Sequence, residues 1–347
     1  MLRILATPRS TEGNPYCDLL YNKIEKRGGD VEEYRARRIL MNDYDVWHIH
    51  WPEIFFNKSS FANSAVHLAG LVVLLLWARL NRIRIIWTIH NLQTHETEHP
   101  VLERLAWSLF SFLVHGTISL SEQARQLAFE KWQWLRRKPA TVIPHGHYRE
   151  VYPKTITQAQ ARKELGLEPD HQVALYFGRI REYKRVPDLI QSFEKITAED
   201  LRLLVVGNPE SRDLRHRVRE AASGDQRIQA VLNFIPNNQV QKYFRASDVV
   251  LFPQEEFLNS GSVILALTFD KPVLAAQKGS IVELKQSVGN EWLKTFKNTL
   301  EKKDIETTMR WVRQERQCKC PIEHLNWNLI SKNTIKYFKS VCKKDSI

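Results

Sequence analysis

Three groups of residues in this chain have types and spacings suited to chemistry. The densest is Gly178-Arg179-Ile180-Arg181-Glu182-Tyr183-Lys184-Arg185, directly after the apolar run VALYF. Four cations in so short a stretch can clamp a diphosphate, because fixed positive charge stabilises a leaving group that gains negative charge as its bond breaks. A solvated basic loop has the same composition. No Walker-type GxxxxGK[ST] loop occurs, which argues against P-loop phosphoryl transfer. The second group is Gln254-Glu255-Glu256-Phe257-Leu258-Asn259-Ser260-Gly261-Ser262, ahead of the apolar helix VILALTF. Asn259 and Ser260 are cap residues and Gly261 admits close backbone approach, so the N–H groups there form an anion site, or simply an ordinary capped helix. Glu255 or Glu256 would accept hydrogen bonds from ribose hydroxyls. The third group is His48, His50, Glu53, His90, His95, Glu96, His145 and His147. No zinc-type spacing such as HExxH links them, so the expectation is no metal, with neutral donors and bases around a sugar. A structural histidine remains the alternative at each position.

These groups are placed by an alternation of short apolar runs with longer segments of helical period, the pattern of βα units in a parallel sheet. The first half predicts strands over 3–6, 46–49, 83–89, 116–119 and 140–143, and the second over 173–177, 201–206, 228–232, 249–252 and 272–275. Every group above lies just past one of these runs, as does Gly207-Asn208. Ligands of open parallel sheets bind beyond the carboxyl ends of the strands. The expected fold class is therefore α/β, with two Rossmann-like domains facing each other across a cleft: residues 1–150, residues 151–330, and a helix over 331–347 that either ends the second domain or crosses back to brace the first.

Composition agrees with an ordered globular protein. The 347 residues are 43% hydrophobic and 26% charged, with a formal net charge of +12. That charge calls for an acidic partner, whether nucleic acid, an anionic membrane or a phosphorylated substrate. Cys17, Cys318, Cys320 and Cys342 fit neither a disulfide framework nor a zinc ribbon, which suits a reducing cytosol. The N-terminus shows no signal-peptide pattern. The most apolar stretch, 68–78, is short of a bilayer span and reads as a buried helix or as one touching the membrane surface. The segment 129–138 interleaves Phe129, Trp132 and Trp134 with Lys131, Arg136, Arg137 and Lys138, a mixture suited to stacking on single-stranded nucleic acid or to a lipid headgroup layer.

The stretches GRIREYK, VVGNP and KPVLAA resemble the GT-B glycosyltransferases, in particular family 4. More specifically, NPYCDLLYNKI, DVWHIHWPE, TIHNLQTHE, IPHGHY, FGRIREYK, VVGNP and NSGSVILALTFDKPVLA are similar to glycosyltransferase family 94, the β-mannosyltransferases of xanthan-type exopolysaccharide biosynthesis. The resemblance implies a GDP-mannose donor, a polyprenyl-diphosphate-linked oligosaccharide acceptor, inversion at the anomeric carbon, and a cytoplasmic enzyme peripheral on the inner face of the cell membrane. It also implies donor binding by Arg179, Arg181, Lys184, Asn259, Ser260 and Gly261. One departure stands out. Family 4 enzymes carry a second Glu eight positions after the first, where this chain has Val263, Ile264 or, aligned on KPV, Leu265.

Taken together, the donor side is expected at Arg179, Arg181, Lys184, Gly207, Asn208, Glu255, Glu256, Asn259, Ser260, Gly261 and His145. The catalytic side is expected at Glu53, His50, His90 and Glu96, with Glu53 preferred as the base because Pro52 stiffens the turn before it. No cofactor or metal and no nucleic-acid partner are expected. The rivals are a retaining family 4-like hexosyltransferase using a UDP-sugar and a non-catalytic nucleic-acid or membrane-binding protein.

Overall fold

In the computed structural model, which describes residues 1–41, 43–94, 98–255, 258–259 and 261–343, the apolar runs pair as parallel strands. The first sheet contains β1 (Leu2–Thr7), β2 (Gly29–Glu33), β3 (Val46–Ile49), β4 (Arg84–Ile89), β5 (Gly116–Ser119) and β6 (Ala140–Val142), in the order β2-β1-β3-β4-β5-β6. The strands β3 and β5 are buried at every residue, as covered parallel strands must be. The connecting helices are α1 (Tyr16–Glu25), α2 (Ala36–Leu40), α3 (Glu53–Phe56), α4 (Phe61–Leu80), α5 (Pro100–Leu113) and α6 (Glu122–Lys131).

The second sheet contains β7 (Gln172–Phe177), β8 (Leu201–Val206), β9 (Ile228–Val231), β10 (Val249–Leu251), β11 (Val273–Ala276) and β12 (Leu293–Phe296), in the order β12-β11-β10-β7-β8-β9. Its helices are α7 (Gln158–Glu164), α8 (Val186–Glu194), α9 (Arg212–Ser223), α10 (Asn237–Ala246), α11 (Gly261–Thr268), α12 (Ser280–Val288) and α13 (Lys302–Trp311). A capping box between Thr157 and Gln160 starts α7. In each sheet the strand order reverses once, between β1 and β3 and between β7 and β10. Those reversals open the crevices where ligands of such sheets bind.

The chain divides into two units. One is Met1–Gly146 together with the residues from Leu325 on, and the other is His147–His324. The division thus falls between Gly146 and His147 rather than after residue 150, and residues 325–330 join the first unit rather than the second. The reason is the last helix, α14 (Trp327–Lys343), whose buried face of Trp327, Ile330, Thr334, Tyr337, Phe338 and Val341 packs on α1 and into the first core. Its contacts are close. A Cβ on Gly146 would lie 2.3 Å from the Trp327 ring, and one on Gly116 would lie 2.5 Å from the Tyr337 hydroxyl, which donates to Pro139 O at 2.8 Å.

Helix α4 departs from the expectation of burial. Ser60 caps it by accepting from Asn63 N, and one row of Ser64, Leu68, Leu71, Leu75 and Ala78 packs inward. Phe61, Val66, Val73, Leu76, Trp77 and Leu80 face outward, Leu80 being 82% exposed. The adjoining α5 adds exposed Val101, Leu105 and Phe112. The helix is long and apolar enough to cross a membrane by length and composition.

Trp327 is fully buried between Tyr16 and His145, so truncation leaves a large void. Trp327→Ala is expected to cost about 3–5 kcal/mol of stability, read from the shift in urea midpoint.

Candidate active site

In the first unit the carboxyl ends of β3 and β4 carry a buried set of rings. Residues two apart on a strand share a face, so His48 and His50 project to the same side of the sheet, toward α1. There the Tyr21 hydroxyl lies 2.8 Å from His48 Nδ1 and 2.8 Å from His50 Nε2. His48 Nε2 is 2.7 Å from Thr88 Oγ1, and His50 Nδ1 is 2.9 Å from His90 Nε2. His90 stacks on Trp51 at 4.5 Å. Tyr16 meets His50, His90 and His145 edge-on. His145 Nδ1 donates to Gly146 O at 2.8 Å, which fixes its tautomer. Burial pushes His48 down to about 3 and His145 to about 4, and drives His50 and His90 well below the imidazole range. All four are therefore neutral at pH 7.

Glu53 begins α3, after Pro52. Its Oε1 accepts from Asn91 Nδ2 at 3.3 Å, while Oε2 is buried with no hydrogen-bond partner among the described residues. Burial raises the carboxyl to about 7, against the opposing backbone and Asn91 hydrogen bonds. A carboxylate poised near neutrality is suited to taking a proton from a hydroxyl and releasing it again. Glu96 and His95 lie outside the described residues.

In the second unit the turns after β7 and β8 pack backbone to backbone. A Cβ on Gly207 would come 1.8 Å from Gly178 O, so position 207 tolerates only glycine. Gly178 has φ +139°, a conformation that side chains resist. Beside it, the Lys184 amine and the Ser262 hydroxyl lie 3.6 Å and 3.5 Å from where a Gly178 Cβ would be. Burial pushes the Lys184 amine down to about 8, with Arg181 and Arg179 contributing repulsion. Arg181 sits 3.6 Å from Glu210, and the Arg179 carbonyl accepts from the Tyr176 hydroxyl at 3.1 Å. Asn208 accepts from Arg215 at 3.0 Å.

Gly261 opens α11, and Ser262, which is not among the expected site residues, brings its hydroxyl to the Gly178 turn. Gln254, also outside that set, is buried with Oε1 unpartnered among the described residues, at the end of β10 next to the strand reversal. Two expectations are corrected. Arg185 takes a left-handed turn (φ +52°) and pairs with Asp188 at 2.6 Å and with Glu255, so it does not join a clamp. Glu255 is correspondingly engaged through Oε1 by Arg185 and by the Thr299 hydroxyl at 2.9 Å, which competes with a ribose contact. Glu256 and Ser260 lie outside the described residues, and Asn259 precedes α11. Among the described residues no group of three or more His, Cys, Asp or Glu side chains is arranged to hold a metal ion.

Two parallel sheets with this connectivity make the GT-B fold. Residues 157–313, nearly all of the second unit, match the family Glycosyl transferases group 1. The chain is 29% identical over 294 residues to GDP-mannose:glycolipid 4-beta-D-mannosyltransferase of Xanthomonas campestris pv. campestris, covering 81% of this chain and 74% of the relative. Its fold is similar to that of sucrose-phosphate synthase from Thermosynechococcus elongatus, with a TM-score of 0.69, 16% identity and coverage of 99% of this chain and 100% of the other. Anabaena HepE, solved in complex with UDP-glucose, gives a TM-score of 0.69 at 16% identity over 99% of each chain.

The Lys184 amine carries a full charge below about pH 8 and loses it above. Pyrophosphate affinity, measured by calorimetry, is expected to fall by up to about tenfold between pH 7 and 9. In Lys184→Ala that dependence is expected to vanish and the binding to stay weak throughout.

Proposed function

We propose that this enzyme transfers mannose from GDP-mannose, with inversion, to a polyprenyl-diphosphate-linked oligosaccharide in exopolysaccharide assembly. The observation that carries this reading is the similarity to the Xanthomonas mannosyltransferase across 81% of the chain. The geometry supplies the chemistry. In the second unit Lys184, Arg181 and Arg179 would hold the diphosphate as it gains charge on leaving, and Ser262, near Lys184 at the Gly178 turn, offers a further polar contact. No metal is needed if these cations neutralise the diphosphate. In the first unit Glu53 is the base: its Oε2 accepts the proton of the acceptor hydroxyl, the hydroxyl oxygen bonds to the anomeric carbon, and the bond to the diphosphate breaks with both electrons leaving on GDP. His145, expected with the donor, sits among the neutral rings of the first unit and would contact a sugar rather than a phosphate.

Glu53→Gln keeps the shape and removes the basicity. Transfer is expected to fall by about 100-fold or more while donor binding changes little. Full activity in this variant would remove Glu53 from the role.

We also propose that the enzyme works on the inner surface of the cell membrane, held there by α4 and α5. Their outward apolar side chains lie beside a cavity of about 650 Å³ lined by Arg79, Arg82, Arg84 and His115, together with Leu76, Leu80 and Pro139. Apolar insertion with a basic flank is the combination that holds a protein on anionic lipid. The protein should co-sediment with vesicles containing phosphatidylglycerol and be partly released by salt, and Val73→Glu with Leu80→Glu should abolish the binding. Equal sedimentation of the double variant would contradict the assignment.

A further inference from the structure

A carboxylate and an amine away from the strand ends take hold of the loop that follows β4. Glu103 lies in the first turn of α5, where the helix dipole favours negative charge, and is 9% exposed. Its Oε1 accepts from the Thr94 backbone N–H at 2.9 Å and from Trp107 Nε1 at 3.1 Å, the indole being one turn further along the same helix face. Two residues before Thr94, the Leu92 carbonyl accepts at 2.6 Å from the amine of Lys131, the last residue of α6. Burial lowers the Lys131 amine and the charge of Glu103 opposes that. The two side chains thus attract across the loop while each holds one of its backbone groups.

Both ends of this arrangement lead to Glu53. The loop begins at Asn91, whose Nδ2 donates to Glu53 Oε1 at 3.3 Å. Trp107 meets Phe56 edge-on at 5.6 Å, and Phe56 is the last residue of α3, the helix that Glu53 opens. The contacts close a ring that runs from Glu53 through Asn91, Thr94, Glu103, Trp107 and Phe56 and back along α3. Trp132, next in sequence to Lys131, stacks on Trp107 at 5.8 Å and brings the amine onto the same aromatic support. A buried carboxylate is costly unless its charge is answered, and part of the answer to Glu103 comes from a loop N–H whose position it fixes.

We propose that Glu103 and Lys131 are positioning residues for Glu53, strapping the 91–94 loop to α5 and α6 so that Asn91 engages Oε1 and leaves Oε2 to take the acceptor proton. The strap stands on its hydrogen bonds, and its catalytic purpose rests on the reading of Glu53 as the base. A second effect follows from charge. Burial is the chief cause of the raised Glu53 carboxyl, and the negative charge of Glu103 adds to it. The inward row of α4 is uncharged and His48, His50 and His90 are neutral, so among the described residues Glu103 is the charge that reaches Glu53.

The strap is read first without turnover, as exchange of the Thr94 amide hydrogen followed by NMR. The amide should be protected in the wild type, lose about tenfold or more of its protection in Glu103→Leu, and keep most of it in Glu103→Gln, whose carbonyl oxygen can still accept. Transfer is then measured against pH. Glu103→Leu should lower kcat about tenfold with the donor KM within about twofold, and Glu103→Gln should lose less. A base works only when deprotonated, so the wild-type rate should rise through the Glu53 carboxyl at about 7, and removal of the neighbouring charge in Glu103→Gln should move that midpoint down. Lys131→Met should lower kcat by about threefold or more and Lys131→Arg should restore it, which carries the test if Glu103→Leu folds poorly. Added to Glu53→Gln, neither Glu103→Leu nor Lys131→Met should cost further rate, because the group they position is gone. Thr94 protection indifferent to Glu103→Leu would overturn the strap. A lost strap with kcat and pH midpoint unchanged, or fully additive losses on Glu53→Gln, would overturn its role in positioning the base. Full activity of Glu53→Gln alone would instead remove the base reading and the catalytic purpose of the strap, and Thr94 exchange would still decide whether the strap exists.

Discussion

A parallel sheet sends the carboxyl end of every strand to one edge, and where the strand order reverses the loops at that edge part to leave a crevice. Both sheets of this protein reverse once, β1 against β3 and β7 against β10. Almost everything chemical follows from that constraint. His48, His50 and Glu53 lie on and after β3, and the Gly178 turn and Gln254 lie after β7 and β10. The polar side chains there must be partnered or held neutral, because the strands behind them are buried.

The two units meet this requirement in opposite ways. The first keeps its groups uncharged. Four histidines are neutral through burial and Glu53 is raised to about 7, an environment that recognises hydroxyls and moves single protons. The second concentrates positive charge. Burial lowers the Lys184 amine, repulsion from Arg181 and Arg179 adds to it, and Glu210 offsets part of it, a local excess of positive charge suited to an anion. Under the proposed function the first unit would supply the neutral proton chemistry, and the second the fixed cations, of a transfer from an activated sugar phosphate.

Much of the architecture is legible in the chain itself. The covered strands are short apolar runs that end at polar or glycine-marked turns, and such a run is hard to mistake. Strands β2 and β12 are not legible in this way, because each lies at a sheet edge with a sequence, GDVEE and LKTF, that has no continuous apolar signature. Tyr21 and Tyr16 do not stand out as site residues for a related reason. On a helix such as α1, buried aromatics are ordinary core, and only the three-dimensional meeting of Tyr21 with His48 and His50 gives its hydroxyl a task. The lysine and arginine run is visible, but which of its members turns away is not. Arg185 leaves the cluster through a left-handed residue that composition does not reveal. The exposed row of α4 is hidden as well, since an apolar stretch looks the same whether one face or every face is buried.

The most direct measurement is a side-by-side transfer assay with GDP-mannose, UDP-glucose and UDP-glucuronate on a lipid-linked oligosaccharide, with the anomeric configuration of the product read by NMR. Inversion from an α-linked donor predicts transfer from GDP-mannose in preference to both UDP-sugars and a β-mannoside in the product. Transfer from a UDP-sugar alone, or an α-linked product from GDP-mannose, would contradict it.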